Sequence, residues 1–245
     1  MTGHTGFKGS WLSLWLNNLG ASVTGVALDP PSNPSHFNAA SISDLLTDHR
    51  VDIRDFEELQ SVIKNSMPDF VFHLAAQPLV KQSYIDPLET YETNIMGTLN
   101  LLESLRNLKK PCVVVLITSD KCYDNVEWIW GYRENDRLGG SDPYSASKGA
   151  TELAIRSFIK SFFPKNGLIR VGIGRAGNVI GGGDWAKNRV IPDCFRAWIK
   201  GNEATIRSPN STRPWQHVLE PLSGYLSLCS ELSQNPELHG EPFNF

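Results

Sequence analysis

A chain of 245 residues with 40% hydrophobic and 10% aromatic side chains can bury a sizeable core, as one large domain or one domain with a small second lobe. A formal net charge of −3 gives no reason to expect a nucleic-acid partner, and no apolar run approaches the ~20 residues a bilayer span needs. The start Met1-Thr2-Gly3-His4 lacks the features of a signal peptide, and Cys112, Cys122, Cys194 and Cys229 lie scattered, as reduced thiols of a cytoplasmic protein do; no histidine spacing argues for a metal.

In chain order, Gly3, Gly6 and Gly9 come first, followed by an apolar helical pattern ending near Gly20. Glycines there let the backbone turn tightly and approach a pyrophosphate at a helix N-terminus. A strand over 22–28 ends in Asp29, 20 residues after Gly9, the offset of a ribose-hydroxyl acceptor. By itself the glycine spacing also fits a plain turn before a helix. A dinucleotide unit begins on a strand before its glycines, and only Met1 precedes Thr2, so that strand is expected to be absent and its neighbours' edges exposed. A short strand end is read at 51–54, and Asp55 caps a helix to about Asn65. The strand 69–74 closes in Ala75-Ala76-Gln77, small residues that fit either a cofactor ribose or tight helix–strand packing. Pro87 opens a long helix over roughly 88–108.

The β-branched run 113–117 then reads as a buried parallel strand. Polar residues at its end, Thr118-Ser119-Asp120-Lys121-Cys122-Tyr123, fall at the sheet edge where open α/β folds bind ligands. Tyr144-x-x-x-Lys148 sits in a helix reaching about Phe163, and that spacing puts both side chains on one face. A lysine so close is expected to lower the tyrosine's pKa. Between them, 124–142 is rich in tryptophan, glycine and charge, and is expected to cover a ligand. A further strand over 168–174 leads into Arg175-Ala176-Gly177-Asn178. The segment 179–217 is loop-rich and carries Arg189, Arg207 and Arg213, either a solvated face or a diphosphate clamp. Helical patterns return over 190–200 and 220–232, and 242–245 begins a strand. Alternating strands and helices argue for a Rossmann-like, doubly wound parallel sheet with a small substrate lobe. The expected division is a dinucleotide-binding part over 1–178, a partial substrate lobe over 179–217, and a helix and strand returning to the first part over 218–245.

Together these motifs resemble the extended short-chain dehydrogenase/reductases that act on nucleotide sugars. The stretches 2–11, 118–123, 130–136, 175–185 and 213–218 narrow the resemblance to the CDP-glucose 4,6-dehydratases. The resemblance implies a tightly held NAD and conversion of CDP-D-glucose to its 4-keto-6-deoxy product. It implies that Tyr144 takes the C4 hydroxyl proton, Lys148 supports Tyr144 and the nicotinamide ribose, and Ser119 hydrogen-bonds the reacting oxygen. Lys121 stands where related dehydratases carry a glutamate base, and Asp120 becomes the acid for the departing C6 hydroxyl. Such a lysine must be neutral and such an aspartate protonated; an exposed ion pair is the alternative for the two. Cofactor contacts are implied for Gly3, Gly6, Phe7, Gly9, Asp29, Asp52, Ile53, Leu74, Ala75, Ala76, Tyr144 and Lys148. Substrate contacts are implied for Gln77, Asn178, Arg189, Arg213 and His217, and a homodimer through 88–108 and 143–163. Two departures stand beside these: the strand before the glycines, and family members that continue well past Phe245. A nucleotide-sugar 4-epimerase, needing only the Tyr/Lys pair, and an inactive nucleotide-binding fragment are the competing readings.

Overall fold

The computed structural model describes residues 1–245. Its eight strands are β1 (Thr24–Ala27), β2 (Thr47–Arg50), β3 (Phe70–His73), β4 (Cys112–Ile117), β5 (Ile169–Arg175), β6 (Val179–Ile180), β7 (Gln216–His217) and β8 (Pro242–Asn244). The helices are α1 (Phe7–Asn18), α2 (His36–Ala39), α3 (Phe56–Ser66), α4 (Val80–Ile85), α5 (Pro87–Tyr91), α6 (Gly97–Leu105), α7 (Pro143–Phe162), α8 (Val190–Ile199) and α9 (Leu219–Gln234).

All six residues of β4 are buried, which requires cover on both faces of the sheet. Alternation along the strand divides them. Cys112, Val114 and Leu116 pack with Leu59 of α3, Leu101 and Leu105 of α6, and Ile155 of α7. Val113, Val115 and Ile117 face the other way, onto Leu12 of α1 and Leu222, Tyr225 and Leu228 of α9. Each fully buried Leu or Ile here contributes roughly 1.5–3 kcal/mol of transfer free energy. Strands β3, β4, β5 and β8 pair in that order, all parallel, and β1 pairs parallel with β2. Thr2 bridges the two groups, parallel to Val26 on one side and His73 on the other. The result is a doubly wound parallel sheet.

Met1–Gly3 therefore fill the carboxyl end of the position between β1 and β3. The Thr2 amide donates to the Phe72 carbonyl at 2.9 Å, and the Gly3 amide to the Val26 carbonyl at 2.8 Å. Toward the other end of the sheet the two strands part around a cavity of about 620 Å³, lined by Val23, Val26, Val71 and Phe72 among others. Phe70 at that end is 53% exposed, whereas Val71 and Phe72 are buried.

Three expectations are corrected. The edge strand is β2 at Thr47–Arg50, not 51–54. Its residues Thr-Asp-His-Arg show no apolar alternation, because neither face of this edge strand is buried: all four residues are half-buried or exposed. The helix expected over 88–108 is interrupted by a π-helical turn at Glu92–Met96. The segment 124–142 does not cover the cleft described below. Tyr132 stacks on Tyr123 at 5.0 Å, and Asn244 donates to the Tyr132 carbonyl, which anchors this loop beside β8 instead. No helix is long and apolar enough to cross a membrane.

Candidate active site

The carboxyl ends of β3, β4 and β5, with the start of α7, open onto a cleft of about 900 Å³. Each wall follows from local sequence. No side chain caps α1, so the amides of its first turn are open to an anion. Gly3 has φ +75, and a Cβ there would fall 2.6 Å from the Ala75 nitrogen; one on Gly9 would fall 2.0 Å from the Gly3 carbonyl oxygen. Those two glycines are required by the approach of α1 to the strand ends. Gly6, whose Cβ would sit 3.3 Å from the Gly3 oxygen, is less constrained. Phe7, Leu74 and Ala76 line the cleft, and Ala75 lies against the Gly3 turn.

Asp142 caps α7 by accepting the Ser145 amide, and Pro143 fits its first turn. That start places Tyr144 and Lys148 on the face turned to the strand ends. Both are buried, at 8% and 5% exposure, and both line the cleft with Ser119, Asp120 and Lys121. Ser119 ends β4's extension: its Oγ donates to Asp120 Oδ1 at 2.9 Å and accepts the Lys121 amide at 3.2 Å. The five residues expected to perform proton transfer thus share one cavity, and Asp120 and Lys121 form no ion pair with each other.

The expected lowering of the Tyr144 pKa is not found. Burial pushes the phenol up to about 12, against a hydrogen bond with Ser119 that favours the phenolate. Lys148 is itself drawn down to about 8 by burial, with Glu152 one turn later opposing the shift. Behind the cleft, Glu152 accepts from Thr118 Oγ1 at 2.6 Å and from the Arg175 guanidinium at 2.9 and 2.8 Å. This fully buried pair ties α7 to the ends of β4 and β5.

Of the residues expected on the nucleotide side, Asp29 lies exposed just beyond β1, 3.7 Å from Arg50. Asp52 is held by Arg54; burial works to raise its pKa, and the hydrogen bonds and charge of Arg54 outweigh that and lower it. Ile53 is 4% exposed and belongs to the core, packed over Gly97. Asn178, Arg189 and Arg213 line the cleft. Arg189 is held by Asp184 at 3.0 Å, and Arg213 is exposed, donating to the Thr212 carbonyl. Gln77 and His217 stand apart. The Gln77 amide is used by Thr90 and the Leu79 amide, and His217 is exposed on β7, accepting the Leu219 amide. Sequence reasoning missed Lys8, Asp184 and the Glu152–Arg175 pair. A cation inside the glycine motif signalled Lys8; the other three carry no local signature.

Residues 1–232 match a family model described as GDP-mannose 4,6 dehydratase. The chain belongs to that family. Among members and neighbours, a CDP-glucose 4,6-dehydratase of Salmonella typhimurium is 55% identical over all of this chain, which spans 69% of that relative's length. A UDP-glucose 4-epimerase of Mycoplasma pneumoniae is 27% identical over 80% of this chain, which covers 61% of that relative. A crystal structure of Thermus thermophilus UDP-glucose 4-epimerase in complex with NAD superposes with a TM-score of 0.81, at 25% identity, over 99% of this chain and 75% of that one.

Proposed function

We propose that this chain converts CDP-D-glucose to CDP-4-keto-6-deoxy-D-glucose and water. The observation that carries this is the shared cleft of Ser119, Asp120, Lys121, Tyr144 and Lys148 beside the glycine turn, in a chain 55% identical to a CDP-glucose 4,6-dehydratase. Gly3, Gly9 and the open amides of α1 fit a dinucleotide diphosphate, and Lys148 a ribose. NAD held there would supply the acceptor for hydride from C4 and the donor of hydride to C6.

As the phenolate, the form its hydrogen bond with Ser119 favours against burial, Tyr144 Oη takes the C4 hydroxyl proton while Ser119 Oγ orients that oxygen. The C4 carbonyl acidifies C5–H; Lys121 Nζ removes that proton and returns it to C5 when C6 is reduced. Asp120 protonates the departing C6 hydroxyl, so the elimination releases water without net oxidation of the substrate. An epimerase performs no elimination, and the presence of both Asp120 and Lys121 in the cleft favours the dehydratase over it. Asn178, Arg189 and Arg213, with the segment 179–217, would contact the sugar nucleotide; their lining of the cleft supports this. A homodimer would use the exposed Leu88, Met96, Leu153 and Phe162 of the helices spanning 87–105 and 143–162. A cytoplasmic location accords with four free, buried cysteines.

The test is incubation with NAD and CDP-glucose, read by the alkaline absorbance of a 4-keto-6-deoxy sugar. Tyr144→Phe should abolish that product while NAD still binds. Product formation at the wild-type rate by this variant would remove Tyr144 from the chemistry.

A further inference from the structure

The mechanism leaves Lys8, Lys81 and Arg207 of the cleft without employment; Lys81 and Arg207 are exposed, and Lys8 alone of the three is not. Arg189 is held by Asp184, and Lys148 has Glu152 one turn behind it. Lys8, in the first turn of α1, also lines the cleft, yet it makes no ion pair. Its one hydrogen bond, 3.2 Å long, goes to the phenol of Tyr225, a fully buried residue of α9. The Nζ lies 5.6 Å from the centre of that ring. If this position served only to pack α1 against α9, an aliphatic side chain would do so without desolvating an ammonium.

We propose that Lys8 is an anion-binding residue of the cleft, whose ammonium takes an oxygen of a bound nucleotide's diphosphate. The proposal rests on the nucleotide-binding reading of the cleft given above. It adds a side-chain charge to the backbone amides of the same helix turn, and it gives the buried amine the counter-charge that Tyr225 cannot supply.

Protonation follows from the surroundings. Burial draws Lys8 down to about 7, and the like charges of Lys148 on α7 and Arg189 ahead of α8 add to this, against the opposing charge of Asp120. Tyr225 contributes a neutral dipole. A dianionic diphosphate beside the amine favours its charged form. Nucleotide binding near neutral pH should therefore draw a proton from solvent.

Isothermal titration calorimetry at pH 7.5, in buffers of different ionisation enthalpy, reads this directly for NAD, CDP and inorganic pyrophosphate in turn. In the wild type, whichever of these reaches Lys8 should bind with proton uptake. Lys8→Met should weaken that ligand about tenfold or more, the scale of one charge-assisted hydrogen bond, and remove the uptake Lys8 provides. Lys8→Arg stays charged, so it should keep the affinity and also lose the uptake. Loss of uptake with NAD alone assigns the cofactor diphosphate; loss with CDP alone assigns the substrate diphosphate. Unchanged affinity and uptake in Lys8→Met, or full uptake in Lys8→Arg, would overturn the proposal while NAD binding itself still stood. Binding of CDP or pyrophosphate through Lys8 without any binding of NAD would instead sink the cofactor assignment. If none of the three binds the wild type, both fall.

Discussion

Two groups at the ends of β4 and β3 show how little of a residue's chemistry is set by its type. Lys121, two residues after Ser119, lines the cleft half-buried, with no carboxylate bound to it. If it is the C5 base, Lys121→Ala should still oxidise C4, seen as bound NADH absorbance after CDP-glucose is added, but should fail to release the 6-deoxy product. Solvent deuterium entering C5 at the wild-type rate in this variant would exclude it. His73, by contrast, is sealed between Thr2 Oγ1 at 2.7 Å and Thr98 Oγ1 at 3.0 Å. Burial, helped by the charges of Lys148 and the Met1 ammonium, lowers its pKa to about 3 from 6.5. Below pH 6.5 the unfolded chain takes up a proton that the folded chain refuses, so stability falls as pH falls from 6.5 towards 3. The loss should reach about 2 kcal/mol by pH 5, and His73→Gln should flatten that part of the curve. Urea midpoints at pH 7 and pH 5 measure both; equal slopes in the two proteins would show that His73 does not report the acid sensitivity.

At the scale of elements, the site depends on how α7 is fixed across two strand ends. Tyr144 and Lys148 are carried by its first turns, and Glu152 anchors the next turn to Thr118 and Arg175. Burial alone would lower the guanidinium's pKa, but Glu152 outweighs it and raises it, so the pair acts as one charged unit. Glu152→Gln leaves Arg175 buried without its counter-charge and should cost about 3–5 kcal/mol; exchanging both for Leu and Met should recover part of it. Denaturant unfolding of the single and double variants decides the matter, and a loss below about 1 kcal/mol in the single variant would contradict the buried-pair account. The same element shows what the sequence made legible. The strand run before Thr118 and the Tyr/Lys spacing are both local patterns, and each stands where it was expected. Glu152 and Arg175, 23 residues apart, meet only through the fold, and no local pattern announces them. The π-turn at Glu92–Met96 is similar: it brings Asn94 to the Gln77 amide and to Ser147, contacts that a regular helical period conceals. Strand β2 was misplaced because an edge strand of Thr-Asp-His-Arg carries no apolar signal.

For the whole molecule, the decisive feature is the seam at Thr2. The continuous ladder β3-β4-β5-β8 forms one body, and β1-β2 with α1 forms its neighbour. Sheet hydrogen bonds cross between them only through Met1–Gly3 and the Thr2 to Leu74 register, and the cavity of about 620 Å³ lies beneath that crossing. Leu12 of α1 and Val26 of β1 carry buried contacts across the boundary, but backbone hydrogen bonds cross it at that one point, which permits a local opening that costs less than global unfolding. Amides of Thr24–Ala27 should therefore exchange with solvent through a lower-energy opening than those of Cys112–Ile117. The proposed cofactor would span the same seam, since Gly3, Gly9 and Asp29 stand on one side and Ala75, Ala76, Tyr144 and Lys148 on the other. Binding that needs both bodies docked penalises the opening by RT ln(1 + [L]/Kd), about 2.7 kcal/mol at roughly 100 times Kd. Native-state hydrogen exchange with and without NAD measures both quantities. Equal opening free energies for β1 and β4 in the free protein would mean that the sheet moves as one body. A β1 opening that NAD leaves unchanged would mean that the nucleotide does not bridge the seam.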